Sequence, residues 1–128
     1  MDETSLLYEK GVVLASHRGI FTAKHAQKTT HHIIDSLRAN NCQSLLLHFE
    51  DVQMKLGLSD LFYLPRLYTK LDMSLMTKIA VVTEEYEKHR RLFDFYETAC
   101  YNVGYQVNIF DKTSDARKWL AHRHTNAA

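Results

Sequence analysis

Three short apolar runs, separated by stretches of helical periodicity, constrain this chain more than anything else in it. Ser44-Leu-Leu-Leu-His-Phe49 carries apolar side chains at both odd and even positions. A strand built from it has no face to offer water and belongs inside a sheet covered on both sides. Lys78-Ile-Ala-Val-Val82 reads the same way, and Tyr105 to Phe110 alternates, with Gln106 and Asn108 on the less buried face. Two earlier runs, Ser5 to Tyr8 and Val12 to Ser16, are joined across Glu9-Lys10-Gly11 and read as a hairpin, with Gly19 closing its second strand.

The intervening segments carry helix signals. Thr22 is a good N-cap for a stripe of Ala26, Thr30, Ile33, Ile34 and Leu37, which Asn40-Asn41 ends. Glu50 to Leu58 reads as a loop. Ser59 or Asp60 then caps a second helix over Leu61, Phe62, Leu64, Leu67, Tyr68 and Leu71, in which Pro65 predicts a kink or a late start. Thr83-Glu84-Glu85 opens a third helix, whose stripe is Tyr86, Phe93, Tyr96, Cys100 and Val103, and Gly104 sits where a left-handed residue ends it. Thr113 or Ser114 starts a last helix with Ala116, Trp119 and Leu120 on one face. The order is β-β-α-β-α-β-α-β-α. It predicts an α/β fold with a mostly parallel sheet, right-handed crossovers, flanking helices and an antiparallel edge strand.

At 128 residues the chain fits one domain spanning 1–128, with a tail expected to fray from about His124. Its 16 basic and 15 acidic side chains nearly cancel, so no global field attracts nucleic acid. No apolar run approaches the roughly 20 residues of a membrane span, and the N-terminus lacks an export pattern, so a cytoplasmic protein is expected. Two cysteines without such a signal read as reduced thiols. The eight histidines lack metal-ligand spacing, so no metal is expected. No P-loop, GxGxxG, HExxH, GxSxG or CxxC pattern is present, so neither a cofactor nor a catalytic residue is assigned.

The last third carries a likeness: Lys78-Ile-Ala-Val-Val82, Phe95-Tyr-Glu-Thr-Ala99, Asn102-Val-Gly-Tyr-Gln-Val-Asn-Ile-Phe110 and Ala116-Arg-Lys-Trp-Leu120. In these motifs and in its element order the chain resembles the STAS-like superfamily (sulfate transporter and anti-sigma-factor antagonist), and within it small stand-alone bacterial STAS/SEC14-like proteins of unknown function. The resemblance implies the fold and a regulatory role. Anti-sigma-factor antagonists carry a phosphorylatable serine in an Asp-Ser-Ser-Gly-like motif before the second helix. Here that stretch, Asp51 to Asp60, lacks the motif; Ser59 takes a similar place at the helix head and is the candidate phosphosite.

The residues themselves leave two arrangements open. His48, Asp51, Ser59, Asp60 and Thr83 are expected at the carboxyl ends of the strands, where open α/β sheets bind ligands. A base, an orienting carboxylate and a nucleophile are conceivable from His48, Asp51 and Ser59, yet each also has an ordinary local role. Leu56 to Tyr68 is rich in large apolar groups, which line a ligand groove, meet a second subunit or, as the simplest reading, fill the core; Phe62 and Tyr63 are its candidate docking residues. The resulting expectation is a non-enzymatic module that binds a protein partner or itself. The alternative is a carrier or enzyme for a small ligand, a lipid-like one among the options, with its pocket at the carboxyl end of the sheet.

Overall fold

The protein is described here by a computed structural model covering residues 3–122; the tail expected to fray lies outside them. Strands β1 (Glu3–Glu9) and β2 (Val12–Thr22) form the hairpin, followed by α1 (Ala23–Ala39), β3 (Ser44–Lys55), α2 (Leu58–Lys70) and β4 (Lys78–Thr83). A 3-10 turn at Glu87–His89 leads into α3 (Arg90–Val103), β5 (Gln106–Phe110) and α4 (Thr113–Ala121). The sheet order is β1-β2-β3-β4-β5, antiparallel between the first two strands and parallel thereafter. The α/β architecture with one antiparallel edge is the one the alternation predicts.

Burial explains the layering. All six residues of β4 are buried, and so are Ser44 to Leu47 of β3. Leu45, Leu47, Phe49 and Ile79 face a large core with α1, α2 and α3, whereas Leu46, Ala80 and Val82 face a smaller one with Ala116 and Leu120 of α4. Lys10 and Gly11 both have positive φ, 51° and 76°, as the two central residues of a type I′ hairpin turn require. Thr22 caps α1, its hydroxyl accepting from the His25 N–H at 3.1 Å. Gly104, at φ 117°, ends α3 as expected.

Several boundaries differ from the sequence reading, each for a local reason. Residues 50–55 are not a loop: β3 continues to Lys55 through a bulge at Asp51, whose φ is 51°. Arg18 pairs with Glu50 and Gly19 with Val52, so Asp51 is passed over and Val52 returns to the large core. That extra residue breaks the two-residue alternation from which a strand is read. Gly19 lies opposite the bulge and does not close β2, which runs on to Thr22.

Helix α2 neither starts late at Pro65 nor is capped by Ser59 or Asp60. It starts at Leu58 with Gly57 as N-cap, and Asp60 reaches back to accept the Gly57 N–H at 2.9 Å. Thr83-Glu84-Glu85 does not open α3. The Thr83 hydroxyl accepts from the Glu85 N–H at 3.0 Å, a local turn that competes with helix, and α3 begins only at Arg90.

Lys78 fastens α4 to the sheet. Its ammonium donates to the carbonyls of Trp119 (2.6 Å) and His122 (3.1 Å) at the carboxyl end of α4, and lies 4.3 Å from the Trp119 ring centre. The cation satisfies carbonyls that the helix leaves open and faces the negative end of its dipole. Lys78→Met keeps the aliphatic stem and removes the charge. It is expected to lower unfolding stability by about 1–3 kcal/mol, read by urea denaturation.

Candidate functional site

The residues expected to form one site divide between two faces of the sheet. His48 is partly buried in the middle of β3, between Ser16 of β2 and Val82 of β4, because β3 is longer than expected. By strand alternation it points to the α4 face, with Leu46. Asp51 is the exposed bulge residue. Ser59 is exposed at the second position of α2, on the opposite face, so His48 and Ser59 do not share a centre. Thr83 is fully buried, its hydroxyl committed to the Glu85 amide.

Ser59, Asp60, Phe62 and Tyr63 do come together, at the head of α2. Asp60 is held by the Gly57 N–H, while Phe62 and Tyr63 are 48% and 37% exposed. The Arg66 guanidinium carbon stands 3.8 Å from the Phe62 ring centre, which orients that ring at the surface. Two large aromatic groups and a cation on one exposed turn resemble the composition of protein-binding hot spots.

A cavity near the carboxyl ends of β2 and β3 was not foreseen in detail. It measures about 50 Å³ and lies on the α1, α2 and α3 face, away from His48. Phe21, Phe49 and Met54 floor it from the sheet, Ala26 and Thr30 wall it from α1, and Leu61, Leu64 and Phe93 close it. The space exists because α1 presents small side chains there. Three of the polar side chains around it are bonded within the protein: Thr30 donates to the Ala26 carbonyl at 2.8 Å, and the Tyr68 and Tyr96 hydroxyls share a hydrogen bond of 2.7 Å. Burial raises both of these tyrosines and pushes the nearby Cys100 thiol up to about 12, so this layer stays neutral. Cys100 is thus a core side chain and no nucleophile.

His17 forms the polar corner of this cavity. It is 4% exposed, stacks on Phe49 with ring centres 4.9 Å apart, and meets Phe21 at 4.8 Å. Its Nδ1 and the Thr4 hydroxyl lie 3.3 Å apart, and the same hydroxyl hydrogen-bonds His25 Nε2. Burial first, then the neighbouring His25 and His48, lowers its pKa from 6.5 to about 4. The sequence signal was present: Val13, Ala15 and His17 alternate on one face of a strand, so His17 had to enter the core with them. Among the described residues, no three His, Cys, Asp or Glu side chains gather as a metal site.

No protein-family model matches the chain, and no curated protein matches it in sequence. Solved structures do match in shape. An anti-sigma factor antagonist from Mycobacterium paratuberculosis superposes with a TM-score of 0.66 at 17% identity, over 94% of this chain and 95% of that one. This chain has the STAS-like fold. An uncharacterised DUF3478-family protein with a SpoIIAA-like fold, from Shewanella loihica PV-4, superposes with a TM-score of 0.55 at 14% identity, over 93% of each chain. Such distant identities establish shape and leave activity to the side chains of this chain. No described helix is long and apolar enough to cross a membrane.

The neutral His17 makes stability depend on pH. Above pH 6.5 it is uncharged whether the chain is folded or not. Between pH 6.5 and about 4 the unfolded chain takes up a proton that the folded one refuses, so stability falls as pH drops, by up to about 3 kcal/mol. Below about pH 4 both forms are protonated and His17 adds no further loss. Urea denaturation at steps across this window should show the fall, and His17→Phe should flatten it.

Proposed function

We propose that this protein is a non-enzymatic regulatory module that binds a protein partner through the head of α2. The observation that carries this reading is the exposure of Phe62 and Tyr63 side by side on one helical turn, beside Ser59 and with Arg66 against the Phe62 ring. Its support from likeness is the anti-sigma factor antagonist among the structural neighbours, a protein that by its name acts against another protein. Ser59 is the candidate switch on this surface. A phosphoryl group at the second position of a helix lies near the positive end of the helix dipole. There it would add charge beside Phe62 and Tyr63 and next to the Asp60 carboxylate, changing what the surface can meet.

The test is the double substitution Phe62→Glu with Tyr63→Glu. Both side chains are exposed, so stability should change by about 0.5 kcal/mol or less. The tagged native chain should retain a stoichiometric protein from its own organism's lysate, or itself as an oligomer, and the variant should lose it. Association that survives both substitutions rejects the α2 surface.

The cavity favours a second reading, a small apolar ligand held near the carboxyl end of the sheet. A space of about 50 Å³ with an apolar lining takes a compact apolar group and not a whole acyl chain. Xenon is a suitable probe: on this reading the native protein under xenon pressure gives a bound-xenon NMR resonance, and Ala26→Leu, which fills the space, removes it. A native protein without a bound-xenon resonance would count against a ligand there.

A further inference from the structure

The free edge of β5 has no role in the α2 surface and carries its own chemistry. β5 pairs with β4 along Lys78 to Val82 and has no strand on its other side among the described residues. Natural sheets blunt such edges with charged side chains, proline or bulges. Gln106-Val-Asn-Ile-Phe110 has no charge and no proline, and its register is unbroken. The opposite edge, β1, differs: it ends in Glu9, which is tied to Arg117 at 2.7 Å.

Two concavities follow the β5 edge and share Glu97 and Asn108, so together they span the strand. Toward its amino end the wall is Tyr101 and Trp119; Tyr101 is 75% exposed. Toward its carboxyl end the wall holds Glu84, Glu85 and Asp111, with Lys88 as the opposing cation. Glu87 lies there too but is engaged by Arg90 at 3.8 Å. Glu84, Glu85, Glu97 and Asp111 have no ion-pair partner among the described residues. Burial, then the adjacent Asp94, pushes the Glu97 carboxyl above its ordinary range, and Glu85 Oε1 is shielded from solvent without a hydrogen-bond donor. In a chain of net charge +1 this is a local negative field beside unpaired backbone groups.

We propose that the β5 edge accepts an extended, basic segment of a partner protein as a sixth strand. Main-chain hydrogen bonds to β5 supply the docking, as in other strand additions. Lysine or arginine side chains of the segment meet Glu97, Asp111 and Glu84, and an apolar one rests on Tyr101 and Trp119. A second copy of this chain is the poorer occupant, because pairing β5 with β5 sets acidic walls against each other.

The test uses the full chain, isotope-labelled for NMR, and a capped heptapeptide alternating lysine and valine. Shifts should concentrate on the amides of Gln106 to Asp111 and weaken with added salt. Glu97→Lys with Asp111→Lys should loosen binding by about tenfold or more. A peptide N-methylated along one edge should fail at equal charge. Phe62→Glu with Tyr63→Glu should leave this binding intact, so the two surfaces stand or fall separately. Absence of β5 shifts at millimolar peptide, equal binding of a glutamate–valine peptide, or undiminished binding of the N-methylated one would overturn the proposal.

Discussion

The burial of β4 on both faces is the constraint on which the rest of the structure depends. Six consecutive residues without access to water leave no alternative to helices above and below the sheet. Three of the four helices serve one face and α4 serves the other, so α4 must be held firmly. Lys78, the first residue of β4, does this from within the strand by bonding the carbonyls at the end of α4. Strand and covering helix are therefore one unit. The buried ammonium is stable there because it meets carbonyl oxygens and an indole face.

Two backbone irregularities then shape the carboxyl end of the sheet. The bulge at Asp51 lets β3 continue while turning Val52 back into the large core, and that carries Met54 to the floor of the cavity. The turn at Thr83 holds the chain out of helix until Arg90, and residues 83–88 become a wall of the acidic concavity. Each irregularity rests on a small polar or acidic residue, which tolerates or stabilises a turn that larger apolar ones resist.

These features separate tasks that a reading by fold alone would merge. The interior beside α2 and α3 is kept neutral by burial, from His17 through the Tyr68–Tyr96 pair to Cys100. Apart from the Lys78 ammonium beneath α4, the described charged side chains lie toward the surface. The head of α2 offers aromatics with Arg66, whereas the β5 edge offers carboxylates with Tyr101. Surfaces so different in character would suit partners of different chemistry.

What the sequence by itself determined was the set of elements and their alternation. Leu45 to Leu47, Ile79 to Val82 and the stripe from Ala26 to Leu37 each need a particular burial, and each local signal agrees with the final fold. The apolar excess of α2 was legible too, since it holds more apolar groups than one stripe, but only the packed structure left Phe62 and Tyr63 outside the core. The tertiary structure alone decided that His48 and Ser59 lie on opposite faces, since α2 packs over the side of β3 that carries Leu45 and Leu47 while His48 shares the other side with Leu46 and α4. It alone decided that Glu84, Glu97 and Asp111, from three separate segments, line one strand edge. The physical reason is the range of the interactions: periodicity and capping act within a few residues, whereas a shared cavity or field forms only once distant segments are packed side by side.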